Sequence, residues 1–505
     1  MKLFRTMMTI LVLGGLLLMS AFAASDHAVT DVVETDKGMI RGFAVEGDKG
    51  AEMHCYYGIP YAEAPVGELR WRDAQEKTAW EGVLDCTAPI TEQNSNYQWG
   101  TNLLAYFLTL TESEDCLYLH VTTPAQTTEE KLPVIVWLHG GGMFGGSGSE
   151  EVYNLTNLPE AGCVLVTVTT RLGGFGMLAA DALESEERTS NAGNFMISDM
   201  LAALNWVQNN IERFGGDPAN VTIDGESGGA CKANALMACP QAEGLFCRAI
   251  LQSGTAVPVS YEQAKETGNQ LMERLGVATL EEAQAVPAEE VVAAYNELGI
   301  ESAMIVDGYY MPEEPITAIE AGSYNPCDVL LGANAGELPN LLPMNGGIPN
   351  YIKVLNRVTQ DGHKAYAYLF DQIPATWREL GFHSVHSLDL AYMFGTHDNS
   401  VRFYEGGPWE QQFIFWGLGE SLDMADFISP EMDEADIELS DLMIRMWINF
   451  VTSGDPGTED VTWEPYTSES EDYMVLTNMN GAVPHMETGY SELEQELRLP
   501  EGSPF

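Results

Sequence analysis

The chain has 505 residues, and its 75 acidic against 23 basic side chains give a formal net charge of -52. A charge of this size repels phosphates at long range, so nucleic acid is an implausible ligand and an anionic membrane surface is disfavoured. Hydrophobic residues make up 45% of the chain, which is enough material for a packed core and argues against a disordered or fibrous protein.

The N-terminus has the pattern of a cleaved signal peptide. Two basic residues precede an uncharged stretch from Met7 to Ala24, and Ala21 and Ala23 supply the small residues that a signal peptidase reads. The alternative is an uncleaved membrane anchor, because the stretch is close to the shortest length that spans a bilayer. We therefore expect residues 1–23 to be removed, residues 24–505 to form the mature domain, and the protein to be secreted or periplasmic.

Further along, short apolar runs alternate with helical patterns, which is typical of parallel strands buried on both faces by helices. Apolar residues from Ile197 to Arg213 recur at helical spacing and predict an amphipathic helix, and Ala230 to Met237 has helical composition. These patterns predict an α/β fold with a mostly parallel central sheet. The apolar runs predict strands at residues 132–138, 164–168, 221–223, 328–332 and 365–370.

A strand, a tight turn and a helix surround the segment Gly225-Glu226-Ser227-Gly228-Gly229. This segment fits the G-x-S-x-G nucleophile elbow, in which the serine lies on a turn too crowded for side chains on its flanks. The helix that follows directs its N-terminus at developing negative charge. A glycine-rich turn with an idle serine is the alternative. The structural context favours Ser227 as a nucleophile.

The segment His139-Gly140-Gly141-Gly142 follows the first predicted strand. A run of this kind places bare backbone N–H groups around an oxyanion. A flexible glycine loop without a partner is the alternative, and the nucleophile elbow in the same chain weighs against it. We expect the N–H groups of Gly141, Gly142 and Gly228 to form an oxyanion hole.

With these two motifs, the sequence resembles the type B carboxylesterase and cholinesterase family of α/β-hydrolases over nearly the whole mature chain. The resemblance implies an α/β-hydrolase fold and an enzyme that hydrolyses small-molecule esters through an acyl-serine intermediate. It implies no cofactor and no metal. The segments that carry it, besides the two motifs, are residues 57–62, 65–70, 114–119, 171–176, 215–218, 244–254, 447–450 and 454–456.

The resemblance also implies the partners of Ser227, in the chain order serine, acid, histidine that this fold uses. The family's acid ends a G-x-N-x-x-E segment after a strand, and Glu337 fits that position. An ordinary solvated carboxylate is the alternative in so acidic a chain. The family's base lies nine residues before the glycine of a Phe-Gly pair, and His386 has that spacing from Gly395. His383 remains an alternative base.

Eight cysteines occur in the chain, and their spacing matches no zinc pattern. The resemblance implies a disulfide between Cys86 and Cys116. Cys163 lies in an apolar run and is expected to be a buried free thiol. The pairing of three further cysteines stays open: Cys231, Cys239 and Cys247.

Two departures from the family bear on the substrate. The interval between Glu337 and His386 is shorter than the family's habit, which favours a more open pocket. Before Cys116 the chain has Tyr106 in place of the tryptophan with which cholinesterases bind a quaternary ammonium, so choline esters are disfavoured.

A secreted serine carboxylesterase is therefore the main interpretation of the sequence. A lipase is the first alternative, and the short late segment leaves it little room for an apolar lid. A non-catalytic, cholinesterase-like recognition domain is the second, and the filled triad positions weigh against it. The sequence does not indicate the acyl-chain preference or the oligomeric state.

Overall fold

The computed structural model describes residues 29–87, 113–150, 152–153, 155–184, 193–300, 302–337, 346–374, 384, 386–396 and 432–493. The predicted signal peptide, Tyr106 and His383 lie outside these residues, as do residues 338–345, 375–383 and 385 in the interval between Glu337 and His386.

Strands and helices alternate through the described residues. The strands are β1 Val29–Glu34, β2 Met39–Glu46, β3 Glu52–Pro60, β4 Val83–Asp85, β5 Tyr118–Thr123, β6 Leu132–Leu138, β7 Val164–Val168, β8 Gly216–Glu226, β9 Arg248–Gln252, β10 Val259–Ser260, β11 Ile305–Val306, β12 Asp328–Asn334, β13 Ala365–Phe370, β14 Tyr473–Leu476 and β15 His485–Glu487. The α-helices are α1 Asn157–Glu160, α2 Gly173–Gly176, α3 Phe195–Asn210, α4 Gly228–Ala238, α5 Tyr261–Leu275, α6 Leu280–Gln284, α7 Ala288–Leu298, α8 Pro315–Ala321, α9 Gly347–Gln360, α10 Leu388–Met393 and α11 Glu434–Ser453. None of these helices has the length and apolar character needed to cross a membrane.

One large sheet of 13 strands organises the fold, in the order β1-β2-β3-β5-β7-β6-β8-β9-β12-β13-β14-β15, with β4 beside β2. Neighbouring strands from β7 to β14 are parallel, whereas the strands at both ends of the order pair antiparallel. Strands β10 and β11 form a separate parallel pair. The mostly parallel central sheet with flanking helices confirms the predicted α/β fold.

Both faces of the sheet are buried, as β6 shows. Val134, Val136 and Leu138 belong to the apolar core that contains residues of α3 and α4. Ile135 and Trp137 point to the opposite face, into the core that contains residues of α11. Because both faces are covered, the strand is apolar throughout instead of alternating with polar residues.

The predicted elements agree with the structure in type and differ at some ends. Strands β6 and β7 have the predicted bounds. The predicted helix over 197–213 is α3 followed by a 3-10 turn, which ends because Gly215 takes a left-handed backbone with φ 77°. Strand β8 begins five residues before the predicted Val221, because Gly216 already pairs with Leu132 across a shift in register.

Candidate active site

Strand β8 delivers Ser227 to the turn at its C-terminal end, directly before α4. The backbone of Ser227 has φ 56° and ψ -119°, a conformation that residues other than glycine rarely adopt. Its N–H donates to the carbonyl of Gln252 on β9 at 2.8 Å. A side chain at Gly229 would overlap the carbonyl oxygen of Leu138 on β6. The neighbouring strands therefore fix this turn and leave no space beyond a glycine.

The structure brings the three predicted triad residues together. His386 Nε2 lies 2.8 Å from Ser227 Oγ, and His386 Nδ1 lies 3.0 Å from Glu337 Oε1. Glu337 ends a 3-10 turn that follows β12, and His386 lies shortly before α10. His386 is 8% exposed and Glu337 is 2% exposed. The imidazole therefore connects the serine hydroxyl to a buried carboxylate, as the arrangement serine, histidine, acid requires.

Two side chains hold the Glu337 carboxylate in place. The Ser253 hydroxyl donates to Glu337 Oε1 at 2.9 Å, and Asn334 Nδ2 donates to the same oxygen at 2.8 Å. Asn334 Nδ2 also donates to Asp389 Oδ1 at 2.9 Å. Because these partners are buried, they restrict the rotamer of Glu337 and thereby the orientation of the histidine ring.

A second carboxylate faces the same histidine. Glu226 Oε1 lies 3.3 Å from His386 Nε2 and accepts a hydrogen bond from the Ser387 hydroxyl at 2.7 Å. Burial raises the pKa of Glu226, and the positive imidazolium of His386 opposes that shift. Burial alone would lower the pKa of His386, but the charges of Glu226 and Glu337 outweigh it and raise this pKa to about 9.

The glycine loop after β6 packs against the turn at Ser227. Gly141 and Gly142 have φ 83° and 63°, and a side chain at Gly228 would overlap the carbonyl oxygen of Gly142. A Cβ atom at Gly140 would lie 3.6 Å from Ser227 Cβ. Within the described residues, no protein acceptor takes a hydrogen bond from the backbone N–H of Gly141, Gly142 or Gly228.

Asp224, directly before the elbow, is completely buried and accepts a hydrogen bond from Gln252 Nε2 at 2.9 Å. Burial raises its pKa to about 8. The side chain is therefore largely protonated near neutral pH, and a neutral acid beside an amide can be buried at modest cost. The pairing of β8 with β9 therefore supplies the partner of Asp224 in the buried half of the strand.

Sequence reasoning did not identify Glu226, Ser253, Asn334 or Asp389 as parts of the site. Glu226 occupies the variable position of the elbow motif, and Asn334 occupies the fixed asparagine of the G-x-N-x-x-E segment, so the motifs contained a signal for both. Asp389 lies three residues after His386 within the stretch that ends at Gly395, but nothing in that spacing says that it meets Asn334.

The structure joins none of the eight cysteines in a disulfide. Cys163 is fully buried, as predicted. Cys86 and Cys116 are also buried, at 0% and 1% exposure, and no bond joins them. The structure therefore gives no support to the disulfide that the resemblance implied, and the pairing stays a prediction.

Other candidate bases and ligands lie away from Ser227 or outside the described residues. His363 lies 3.5 Å from Asp328, and His485 lies on β15. His383 and His397 are not among the described residues. Where the chain is described, no group of three or more His, Cys, Asp or Glu side chains has the arrangement of a metal site.

A mostly parallel sheet with a serine at the turn after a central strand, and with a histidine and a buried acid beside it, defines the class of α/β-hydrolases. The family model described as "Carboxylesterase family" matches residues 29–350 and 347–496. The chain belongs to the carboxylesterase family, and it is an enzyme that hydrolyses carboxylic esters.

Curated relatives and solved structures agree with this family. Para-nitrobenzyl esterase of Bacillus subtilis (strain 168) is 32% identical over 480 residues, which cover 88% of this chain and 94% of that protein. Fumonisin B1 esterase of Sphingopyxis macrogoltabida is 37% identical over 315 residues, which cover 61% and 56% of the two chains. A solved structure of PNB esterase matches with a TM-score of 0.76 and 26% identity, over 93% of this chain and 99% of that chain. A carboxylesterase of Geobacillus stearothermophilus matches with a TM-score of 0.74 and 26% identity, over 93% and 100%.

Proposed function

We propose that this enzyme is a secreted serine carboxylesterase in which Ser227 attacks the ester carbonyl, His386 is the general base and Glu337 orients the imidazole. The observation that carries the proposal is the pair of contacts made by one buried ring, 2.8 Å to Ser227 Oγ and 3.0 Å to Glu337 Oε1. These distances lie in the range for proton transfer and for fixing a tautomer.

The reaction has two halves. His386 Nε2 takes the proton of Ser227 as Oγ bonds to the carbonyl carbon, and the tetrahedral intermediate collapses when the imidazolium returns that proton to the departing alcohol oxygen. His386 then removes a proton from water, which attacks the acyl-serine and releases the carboxylic acid. Ser227 recovers its proton from the imidazolium, so the enzyme returns to its starting state without a cofactor or metal.

The oxyanion that forms in each half needs hydrogen-bond donors. The N–H groups of Gly141, Gly142 and Gly228 suit this role, because they have no acceptor within the described residues and lie on segments packed against Ser227. Donors fixed before the reaction stabilise the developing charge without reorganising.

The substrate in this proposal is a small carboxylic ester. Support comes from the relatives, one named for para-nitrobenzyl esters and one for fumonisin B1. The proposal retains a signal peptide at residues 1–23 and a hydrolase domain at residues 24–505, on the grounds of the charge and length pattern at the N-terminus.

The test is turnover of nitrophenyl esters of increasing acyl length by the wild type and by Ser227→Ala. We expect Ser227→Ala to lose several orders of magnitude in kcat while keeping its fold, because no other group can form the acyl enzyme. The wild type should bind one organophosphate phosphorus per chain at Ser227, detectable by peptide mass spectrometry. Near-normal turnover by Ser227→Ala would refute the proposed mechanism.

The same assay separates the two candidate bases. His386→Ala should be nearly as inactive as Ser227→Ala, since triad members act as a unit. His383→Ala is the matched substitution three residues away and should retain most of the rate. The reverse result would assign the base to His383.

A further inference from the structure

A lysine lies beneath the glycine loop and takes no part in the chemistry described so far. Lys232 is on α4, five residues after Ser227, and is completely buried. Its Nζ donates to the carbonyl oxygen of His139 at 2.9 Å and lies 3.4 Å from His139 Nε2. Burying an amine is costly unless its N–H donors have acceptors. The two contacts with His139 supply acceptors for the buried amine of Lys232.

The ring of His139 connects Lys232 to the glycine loop. His139 Nδ1 lies 2.9 Å from the carbonyl oxygen of Gly140. A carbonyl oxygen can only accept, so Nδ1 carries the proton. Burial and the nearby Lys232 hold the pKa of His139 well below its usual value, so the ring is neutral and Nε2 is an acceptor that faces the lysine amine.

The contacts form a chain of donors that ends at the site of the oxyanion. Lys232 donates towards His139, and the ring donates to the Gly140 carbonyl. That carbonyl belongs to the same peptide group as the N–H of Gly141, which has no acceptor within the described residues. A hydrogen bond to a peptide carbonyl polarises the group and makes its N–H a stronger donor.

We propose that Lys232 is a positioning residue for ester hydrolysis: through His139 it fixes the glycine loop and strengthens the Gly141 N–H as an oxyanion donor. The inference rests on the proposed function, since it needs an oxyanion at that place. Burial lowers the pKa of Lys232 to about 7, and the carboxylate of Glu150 opposes that shift. An uncharged amine keeps two N–H donors, so both contacts persist in either protonation state.

The first test is Lys232→Met, which keeps the length of the side chain and removes its donors. We expect kcat for a nitrophenyl ester to fall about 10- to 100-fold, less than the roughly 100- to 1,000-fold loss when an oxyanion donor is removed outright. KM should change little, because the strengthened donor acts on charge that develops in the transition state. Rates are normalised to the organophosphate-reactive sites after complete labelling.

A second measurement distinguishes this role from a structural one. A trifluoromethyl ketone adds to the serine and forms a tetrahedral oxyanion, so its inhibition constant should weaken in Lys232→Met by the same factor as kcat. The control is Leu236→Ala, a buried residue of the same helix, which should lower the unfolding temperature but leave kcat per active site and the inhibition constant near those of the wild type.

The relay through the ring predicts coupling. His139→Phe keeps a ring and removes both ring nitrogens, and adding Lys232→Met to it should cost little more, because contacting residues in one network are not additive. Additive losses would overturn the relay. If Lys232→Met does not fold, Lys232→Gln, which keeps an N–H donor without charge, should show a smaller fall in kcat with unchanged KM.

Normal kcat in a folded Lys232→Met, with Ser227→Ala inactive, would refute the role of Lys232 and leave the proposed function intact, as would a Lys232→Gln whose kcat falls as far as that of a variant without any donor. Turnover by Ser227→Ala would refute the proposed function itself. A loss in Lys232→Met that appears only as a lower unfolding temperature would make the lysine structural and overturn the inference.

Discussion

Two carboxylates share His386, and they act on opposite ring nitrogens. Glu337 lies 3.0 Å from Nδ1, where it can stabilise the imidazolium, whereas Glu226 lies 3.3 Å from Nε2, the atom that accepts the serine proton in the proposed mechanism. A negative charge beside Nε2 favours the protonated ring, and a protonated ring cannot act as a base. In the proposed mechanism, the two carboxylates therefore stabilise the imidazolium of the transition state. They also lower the fraction of neutral His386 in the resting enzyme.

We predict that kcat/KM rises with pH through a pKa above the ordinary histidine value of about 6.5. The sign follows from the protonation states: below its pKa His386 is an imidazolium and inactive as a base, and Glu226 and Glu337 raise that pKa to about 9. Glu226→Gln removes one of these charges, so the rising limb of the pH-rate profile should move to lower pH.

The control for this profile is Glu76→Gln, the same change in charge at a side chain that is 81% exposed. Solvent and salt screen a charge there, so the rising limb should stay in place. A rising limb that does not move in Glu226→Gln would contradict the assigned cause of the shift.

At the residue scale, the elbow motif predicted Ser227, and the resemblance to the family implied Glu337 and His386. The sequence did not predict the contacts of Ser253 and Asp389 with the acid and its asparagine. Such contacts depend on where β9, β12 and α10 meet in space, and a single sequence contains no information on distances between separate segments.

Among the elements, the turn between β8 and α4 leaves no free space for a side chain at position 229. The carbonyl of Leu138 on β6 occupies the place where a side chain at position 229 would lie. Adding a methyl group to a packed site forces the backbone to shift. Because this clash lies between the backbone of β6 and the turn that contains Ser227, any shift of the turn also moves Ser227.

We predict that Gly229→Ala lowers the free energy of unfolding by about 1–3 kcal/mol and removes most of the turnover. Thermal unfolding and the rate per organophosphate-reactive site are the measurements. Gly244→Ala is the matched control, because Gly244 has φ 77° but no atom within 4 Å of the added carbon. It should lose some stability, because its left-handed backbone disfavours a side chain, but keep normal turnover. An equal loss of turnover in the two substitutions would contradict the role of the Leu138 contact.

The sequence predicted that the central strands are parallel and buried on both faces, because apolar runs without alternation are typical of such strands. It could not predict the order in which those strands lie. Strand β7 follows β6 in the chain yet lies on the side of β5, and β8 crosses to the other side of β6. This reversal depends on the crossover connections and is not written in the composition of any strand.

For the whole molecule, the formal net charge of -52 is the dominant property. The described ion pairs involve only some of the acidic side chains. Many of these ion pairs are on the surface, where a pair contributes about 0–1 kcal/mol to the free energy of unfolding. Unpaired surface carboxylates repel one another and oppose the compact state.

We predict that the unfolding temperature rises by a few degrees between 0.05 and 1 M NaCl. Salt shortens the screening length from more than about 10 Å to about 3 Å over this range, which weakens repulsion in the folded state more than in the expanded chain. Differential scanning calorimetry is the measurement, and KCl at equal ionic strength should give the same rise. An unfolding temperature that is unchanged or lower in 1 M salt would contradict this account.

Ser227, Glu337 and His386 come from three segments far apart in the chain, and β6 and β9 hold the turn on which Ser227 lies. No single strand or helix contains the complete set of groups that the proposed mechanism needs. Hydrolysis of an ester therefore reports that the strands from β6 to β13 have all reached their places, so turnover of a chromogenic ester is a direct assay of completed folding in any truncated or nicked form of the chain.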